Sequence, residues 1–209
     1  QFSKDSRYRT ELYKLRRKFM SHADGLIHAD LHTSNIMASR DKMKVIDMEF
    51  AFMGPFGYDL GYLVGNLISQ YCAACFKRFP SEQNRKQFKA YLLATIKSLI
   101  ETYMKTFTLC WEKSVKERYR GQQGLLQSIL QEVMEDVPGY ASMVNWFRSV
   151  SEIPYPDFDV IEDKDAKRNA TVLSLMIDWG IMFGRYKYQS ADDLIETIIG
   201  IEEEFRKSL

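Results

Sequence analysis

Apolar residues recur along this chain at two different spacings, and the change from one to the other divides it. Over residues 1–22, charged residues surround Leu12, Leu15, Phe19 and Met20, which fall on one face of a helix. From residue 26 the apolar runs shorten and polar residues crowd between them. Leu26-Ile27 and Ile36-Met37 predict short buried strands on either side of a loop holding His28, Asp30, His32 and Asn35. Ser39 to Lys42 read as a turn, and Met43 to Ile46 return as a strand. Asp47 and Glu49 then project from the end of that strand, where alternate residues of an extended segment share a face. Gly54, Pro55 and Gly57 predict a tight turn.

After that turn the helical period dominates. Residues 58–76 predict a buried helix, and Ser81 a cap for the next one. Residues 82–118 form one helix or a pair, with Leu92, Ile96 and Ile100 at three-and-four spacing. Residues 125–137 form a short helix ended by Pro138-Gly139. Residues 138–165, with Pro154, Pro156 and acids such as Glu152 and Asp159, read as an irregular insertion. Residues 166–183 and 191–205 predict two further core helices. The fold class is α+β, mostly α, a helical lobe with a short β hairpin around one polar loop.

The chemistry that suits this loop is phosphoryl transfer. Such a reaction needs a base for the attacking hydroxyl and hard oxygen ligands for Mg2+ on the phosphates. Asp30 followed by Asn35 has the spacing of a kinase catalytic loop, with the Asp as base and the Asn as metal ligand. Asp47 stands where such enzymes place their next metal-binding Asp, and Glu49 adds a second carboxylate. Asp59, at the start of the buried helix, can accept amide hydrogen bonds from the loop. His28 reads as a residue bracing the loop. His32 serves either to contact substrate or to anchor the loop.

Composition narrows the classes. Across 209 residues, hydrophobic residues make up 45% and charged ones 27%, as in an ordinary globular domain. Twenty-nine basic against twenty-eight acidic residues leave +1, so no overall field favours nucleic acid or an anionic membrane. No apolar run reaches the ~18 residues of a membrane span, so no membrane partner is expected. Three cysteines in a chain of this size fit a reducing cytoplasm. Cys72 and Cys75 lie inside an apolar helical run, which predicts packing rather than a zinc or redox site.

The string His-Ala-Asp-Leu-His-Thr-Ser-Asn-Ile-Met, followed by Val-Ile-Asp-Met-Glu-Phe-Ala-Phe-Met-Gly-Pro-Phe-Gly-Tyr-Asp-Leu-Gly, resembles the S-methyl-5-thioribose kinase family. That family groups with the aminoglycoside and choline phosphotransferases, and the resemblance extends to about Trp111-Glu112. It implies the carboxy-terminal lobe of a protein-kinase-like fold. It also implies an ATP- and Mg2+-dependent kinase acting on a sugar-like metabolite in methionine salvage. Asp30 is then the catalytic base, and Asn35, Asp47 and Glu49 the metal ligands. Methylthioribose kinases tend to carry Ser where this chain has Asn35, which matches the wider phosphotransferase pattern.

The glycine-rich loop and strand lysine of a kinase amino-terminal lobe are not found in residues 1–25. The chain is therefore expected to be either part of a longer protein or a carboxy-terminal lobe standing alone. The family's tandem arginine pair aligns with Asp178-Trp179, which leaves Arg185 as the guanidinium for substrate. Two rival readings follow. One is a pseudokinase or binding module. The other is a kinase for a cationic amino alcohol such as choline, to which Asp178 and Trp179 would offer charge and a cation–π face. The expected partner is a small-molecule substrate, with a homodimer as the candidate assembly.

Overall fold

The computed structural model describes residues 5–150 and 156–209. Helix α1 (Ser6–Ser21) is capped by Asp5, whose carboxylate accepts from the amides of Arg7 and Tyr8. Four short strands follow: β1 (Gly25–Ile27), β2 (Ile36–Ala38), β3 (Met43–Val45) and β4 (Phe52–Gly54). They form two separate antiparallel pairs. β1 pairs with β4 in the register Leu26 to Met53, and β2 pairs with β3 in the register Met37 to Lys44. The β2–β3 turn is closed by the Ser39 amide donating to the Lys42 carbonyl at 2.8 Å.

The rest is helical: α2 (Tyr58–Ala74), α3 (Glu82–Ser114), α4 (Gln123–Val150), α5 (Pro156–Asp159), α6 (Lys164–Gly184) and α7 (Ala191–Lys207). Residues 82–114 are a single helix, started by the Ser81 hydroxyl accepting from the Asn84 amide. The main core lies between α2, α3, α4, α6 and α7, around Val64, Ile68, Ile96, Val137, Leu173, Ile177, Leu194 and Ile198. A second cluster of Tyr8, Leu15, Ile27, Tyr58, Tyr140 and Met182 ties α1 and β1 to the helical body. The architecture is thus α+β and mostly helical.

Two expectations are corrected. Ile27 is buried as expected, but the β2–β3 pair beside the polar loop is not: Met37 and Met43 are 61% and 69% exposed. Their hairpin stands on the surface, and none of the described helices covers its outer face. Pro138 does not end a helix either; α4 runs through it to Val150, so residues 138–150 are regular rather than irregular. A proline inside a helix costs about 3 kcal/mol. Here the packing of α4 on α2 offsets it, with Val137, Tyr140 and Ala141 wholly buried. The contact is close because α2 presents glycine. A Cβ at Gly61 would lie 2.7 Å from Tyr140 Cβ, and one at Gly65 would lie 2.7 Å from the Ala141 carbonyl oxygen. The part of the predicted insertion around Glu152 and Pro154 lies outside the described residues. No helix among the described residues is long and apolar enough to cross a membrane.

Candidate functional site

The polar loop is tied down from three sides. From α2, the carboxylate of Asp59 accepts from two consecutive amides, His28 at 2.6 Å and Ala29 at 2.9 Å. Burial pushes the Asp59 carboxyl above its usual range, and these two amides oppose that shift. From the β3 side, the Ile46 carbonyl lies 2.8 Å from His28 Nε2, and the Ile46 amide donates to the Asn35 carbonyl at 3.0 Å. Within the loop, Asn35 Nδ2 donates to the Asp30 carbonyl at 3.1 Å. These bonds hold the Asp30–Asn35 loop against the residue immediately before Asp47.

The backbone is strained beside Asp30 and at Asp47. Ala29, next to Asp30, has φ 66° and Asp47 has φ 65°, the left-handed region that residues with a Cβ seldom adopt. Such strain persists only where surrounding bonds over-determine it, and it clusters at functional sites. It also corrects the expectation for the two carboxylates after β3. That strand stops at Val45, Asp47 turns left-handed, and the Ala51 amide closes a turn on the Met48 carbonyl across Glu49. Asp47 and Glu49 are therefore not alternate residues of one strand face. The turn follows directly on Ile46, whose carbonyl faces His28 Nε2 and whose amide donates to the Asn35 carbonyl. Both carboxylates are exposed.

Asp30 is half-buried, with His32 Nε2 3.5 Å from its Oδ2. Burial comes first, and then the negative charge of Asp30, in pushing the Tyr62 phenol well above its usual range. Tyr58 is pushed up to about 12, by burial and then by Asp59 and Asp30. Sequence reasoning missed Tyr62; its one signal is its place four residues after Tyr58, on the same face of α2. Beside these two phenols opens a cavity of about 390 Å³, walled by Phe19, Tyr140 and Trp146 with Arg148 among its lining.

The donors fit a hard cation in kind. Asn35 is buried, and its amide bond to Asp30 leaves Oδ1 as its acceptor; Asp47 and Glu49 supply carboxylates. Among the described residues no three His, Cys, Asp or Glu side chains are grouped to hold a metal by themselves. Mg2+ suits such a sparse set, since it keeps waters and takes phosphate oxygens alongside one or two protein carboxylates.

Two sequence expectations do not meet this site. Arg185 is buried, its Nη2 bonded to Glu11 Oε2 at 2.9 Å and to the Tyr186 hydroxyl at 2.5 Å. Its guanidinium braces α1 against the end of α6 rather than lining the aromatic cavity. Asp178 is buried in the core, bonded by Asn145 Nδ2 at 2.6 Å, and burial pushes its carboxyl well above the usual range. Trp179 stacks on Tyr8 at 6.0 Å. Asp178 therefore offers no exposed charge to a cationic ligand. Cys72 and Cys75 are buried free thiols pushed up by burial, consistent with packing.

Residues 5–99 match the phosphotransferase enzyme family. The chain is 32% identical over 198 residues to a methylthioribose kinase of Geobacillus thermodenitrificans, covering 95% of this chain and 48% of that protein. The chain is thus similar to methylthioribose kinases over about half of their length. A second relative, methylthioribose kinase of Geobacillus kaustophilus, is 33% identical over 190 residues, covering 91% of this chain and 46% of that protein. Methylthioribose kinase 2 of Oryza sativa is 31% identical over 202 residues, covering 91% and 47%. The chain spans about half the length of the curated relatives it matches.

Proposed function

We propose that this chain is the carboxy-terminal lobe of an ATP-dependent small-molecule kinase of the methylthioribose kinase type. The observation that carries the reading is the bonding that joins the Asp30–Asn35 loop, through His28 and Ile46, to the left-handed turn at Asp47. Asp30 is the base that takes the proton from the acceptor hydroxyl, so that the freed oxygen can bond to the terminal phosphorus as the bond to the nucleotide breaks. Asn35, Asp47 and Glu49 hold Mg2+, which neutralises charge on the phosphates. Asp59 and His28 keep the loop in register, and His32 lies near enough to Asp30 to meet the acceptor.

The exposed apolar residues Met37, Val45 and Ile46 offer a surface beside Asn35 and Asp47 for the base of the nucleotide. The aromatic cavity next to Tyr62 takes the rest of the acceptor, a sugar whose apolar substituent suits Phe19, Tyr58 and Trp146. A sugar phosphorylated in methionine salvage matches what the named relatives act on. We place the protein in the cytoplasm, where its free thiols stay reduced.

The test is Mg2+-dependent ATP turnover by the full-length protein against a panel of thiosugars, choline and aminoglycosides. Turnover with a thiosugar supports the proposal. Turnover with choline alone moves the acceptor class, and absence of turnover with every member removes the catalytic reading.

A further inference from the structure

The side of α1 that faces the aromatic cavity carries charge as well as apolar groups. Arg9, Leu12, Tyr13, Arg16 and Phe19 recur at three-and-four spacing, and each lines that cavity or the one beside it. The second cavity holds about 200 Å³ and shares Leu12, Tyr13 and Trp146 with the first as walls. The two ends of this space differ. At one end Phe19 tilts against Tyr58 at 4.6 Å, next to Asp59 and the loop amides that Asp59 holds. Arg16 and then Arg9 stand farther from the loop, about 4.5 Å and about 15 Å from Phe19 along the helix axis. None of the described residues lining either cavity is Asp or Glu. Arg7, Lys14 and Lys18 of the same helix each meet a carboxylate, at 3.1, 2.7 and 2.6 Å. Arg9 and Arg16 are exposed, and no carboxylate among the described residues pairs with either. Arg9 Nη2 donates instead to the Tyr13 hydroxyl at 3.3 Å. Arg148, the third guanidinium of the lining, donates from Nε to Asp157 at 2.7 Å.

We propose that Arg9 and Arg16 form an anion subsite of the acceptor pocket, and that the preferred acceptor is a thiosugar whose apolar arm ends in a carboxylate. This inference rests on the reading of the Asp30 loop as the place of phosphoryl transfer. The sugar hydroxyl lies at the loop, the arm runs between Phe19, Tyr58 and Trp146, and the carboxylate accepts from the guanidinium fork of Arg16. Arg9 adds a second positive charge beyond it. An ammonium at the end of the same arm meets like charge, which disfavours it.

The experiment uses the full-length protein and three thioriboses that share one alkyl arm, ending in a carboxylate, a carboxamide or an ammonium. Calorimetry reads affinity, and Mg2+-dependent ATP turnover is read separately. At low salt the carboxylate should bind about three- to fivefold more tightly than the carboxamide, and the ammonium most weakly. Salt at about 0.5 M should bring the three within about twofold, because both guanidiniums are exposed. The double variant Arg9→Gln, Arg16→Gln should abolish the preference, and Arg16→Glu should reverse its order. Equal affinity of the wild type for the three arms, or a preference that survives the double variant, overturns the subsite; turnover of any arm then leaves the kinase reading standing. Absence of turnover with every arm removes the kinase reading, and the assignment of the acceptor falls with it.

Discussion

His28 Nε2 lies 2.8 Å from the carbonyl oxygen of Ile46, so one imidazole bridges the loop that carries Asp30 to the residue just before Asp47. His28 is buried, and its own amide is held by Asp59. The residue thus fixes the loop through both its ring and its backbone. Replacing it with Leu leaves the Ile46 carbonyl without this partner, which should cost about 1–3 kcal/mol of stability. The urea midpoint of His28→Leu should fall accordingly, and kcat should fall with it because Asp47 loses its anchor. An unchanged midpoint would show that the bridge contributes nothing.

Asp59 serves two amides at once. Asp59→Ala leaves both donors unpaired and should destabilise the protein by on the order of 3 kcal/mol; Asp59→Asn, which keeps one acceptor oxygen, should lose about half of that. Differential scanning calorimetry of the two variants checks the ordering.

The buried pair of Arg185 and Glu11 separates structural from substrate roles. Burial opposes ionisation of Glu11, but hydrogen bonds from Lys14, Tyr186 and Arg185 outweigh it and hold the carboxyl at about 2. A carboxyl lowered on folding stabilises the protein above its unfolded value, and that contribution drains away as pH falls toward 2. Glu11→Gln should therefore flatten the acid limb of the stability curve below about pH 4.5. Arg185→Met, which strands a buried carboxylate, should cost about 3–5 kcal/mol while leaving the acceptor KM unchanged. A raised KM without lost stability would return Arg185 to the substrate.

Asp136 has the opposite sign. Burial raises its carboxyl to about 6, although Lys18 at 2.6 Å offsets part of the effect; Glu132 adds to the rise and Arg185 opposes it. Its folded value stands above its unfolded one, so its contribution is complete below about pH 4 and is lost as pH rises through 6. Across that window the loss amounts to roughly 3 kcal/mol at most. Asp136→Asn should remove this slope, measurable as urea midpoints at pH 4, 5, 6 and 7.

Much of this arrangement was readable from residue order. The loop from His28 to Asn35, the turn at Ser39 to Lys42 and the capping by Ser81 are local signals, and local chemistry settles them. The amide bonds from the loop to Asp59 follow from a carboxylate placed after a glycine-rich turn. What could not be read depends on distant partners. Pro138 sits inside a helix because glycines far away on α2 admit the backbone of α4. Asp47 turns left-handed just after Ile46, whose carbonyl and amide meet His28 and Asn35 from the other side of the loop. Arg185 turned inward because Glu11 waits on the opposite helix.

The most direct test of the central claim is the turnover of Asp30→Asn in the full-length protein under saturating Mg2+ and ATP. This substitution keeps the shape of the side chain and removes its ability to take a proton. If Asp30 is the base, kcat should fall by about 10²–10⁴-fold with the melting temperature unchanged. A kcat equal to that of wild type would contradict the account.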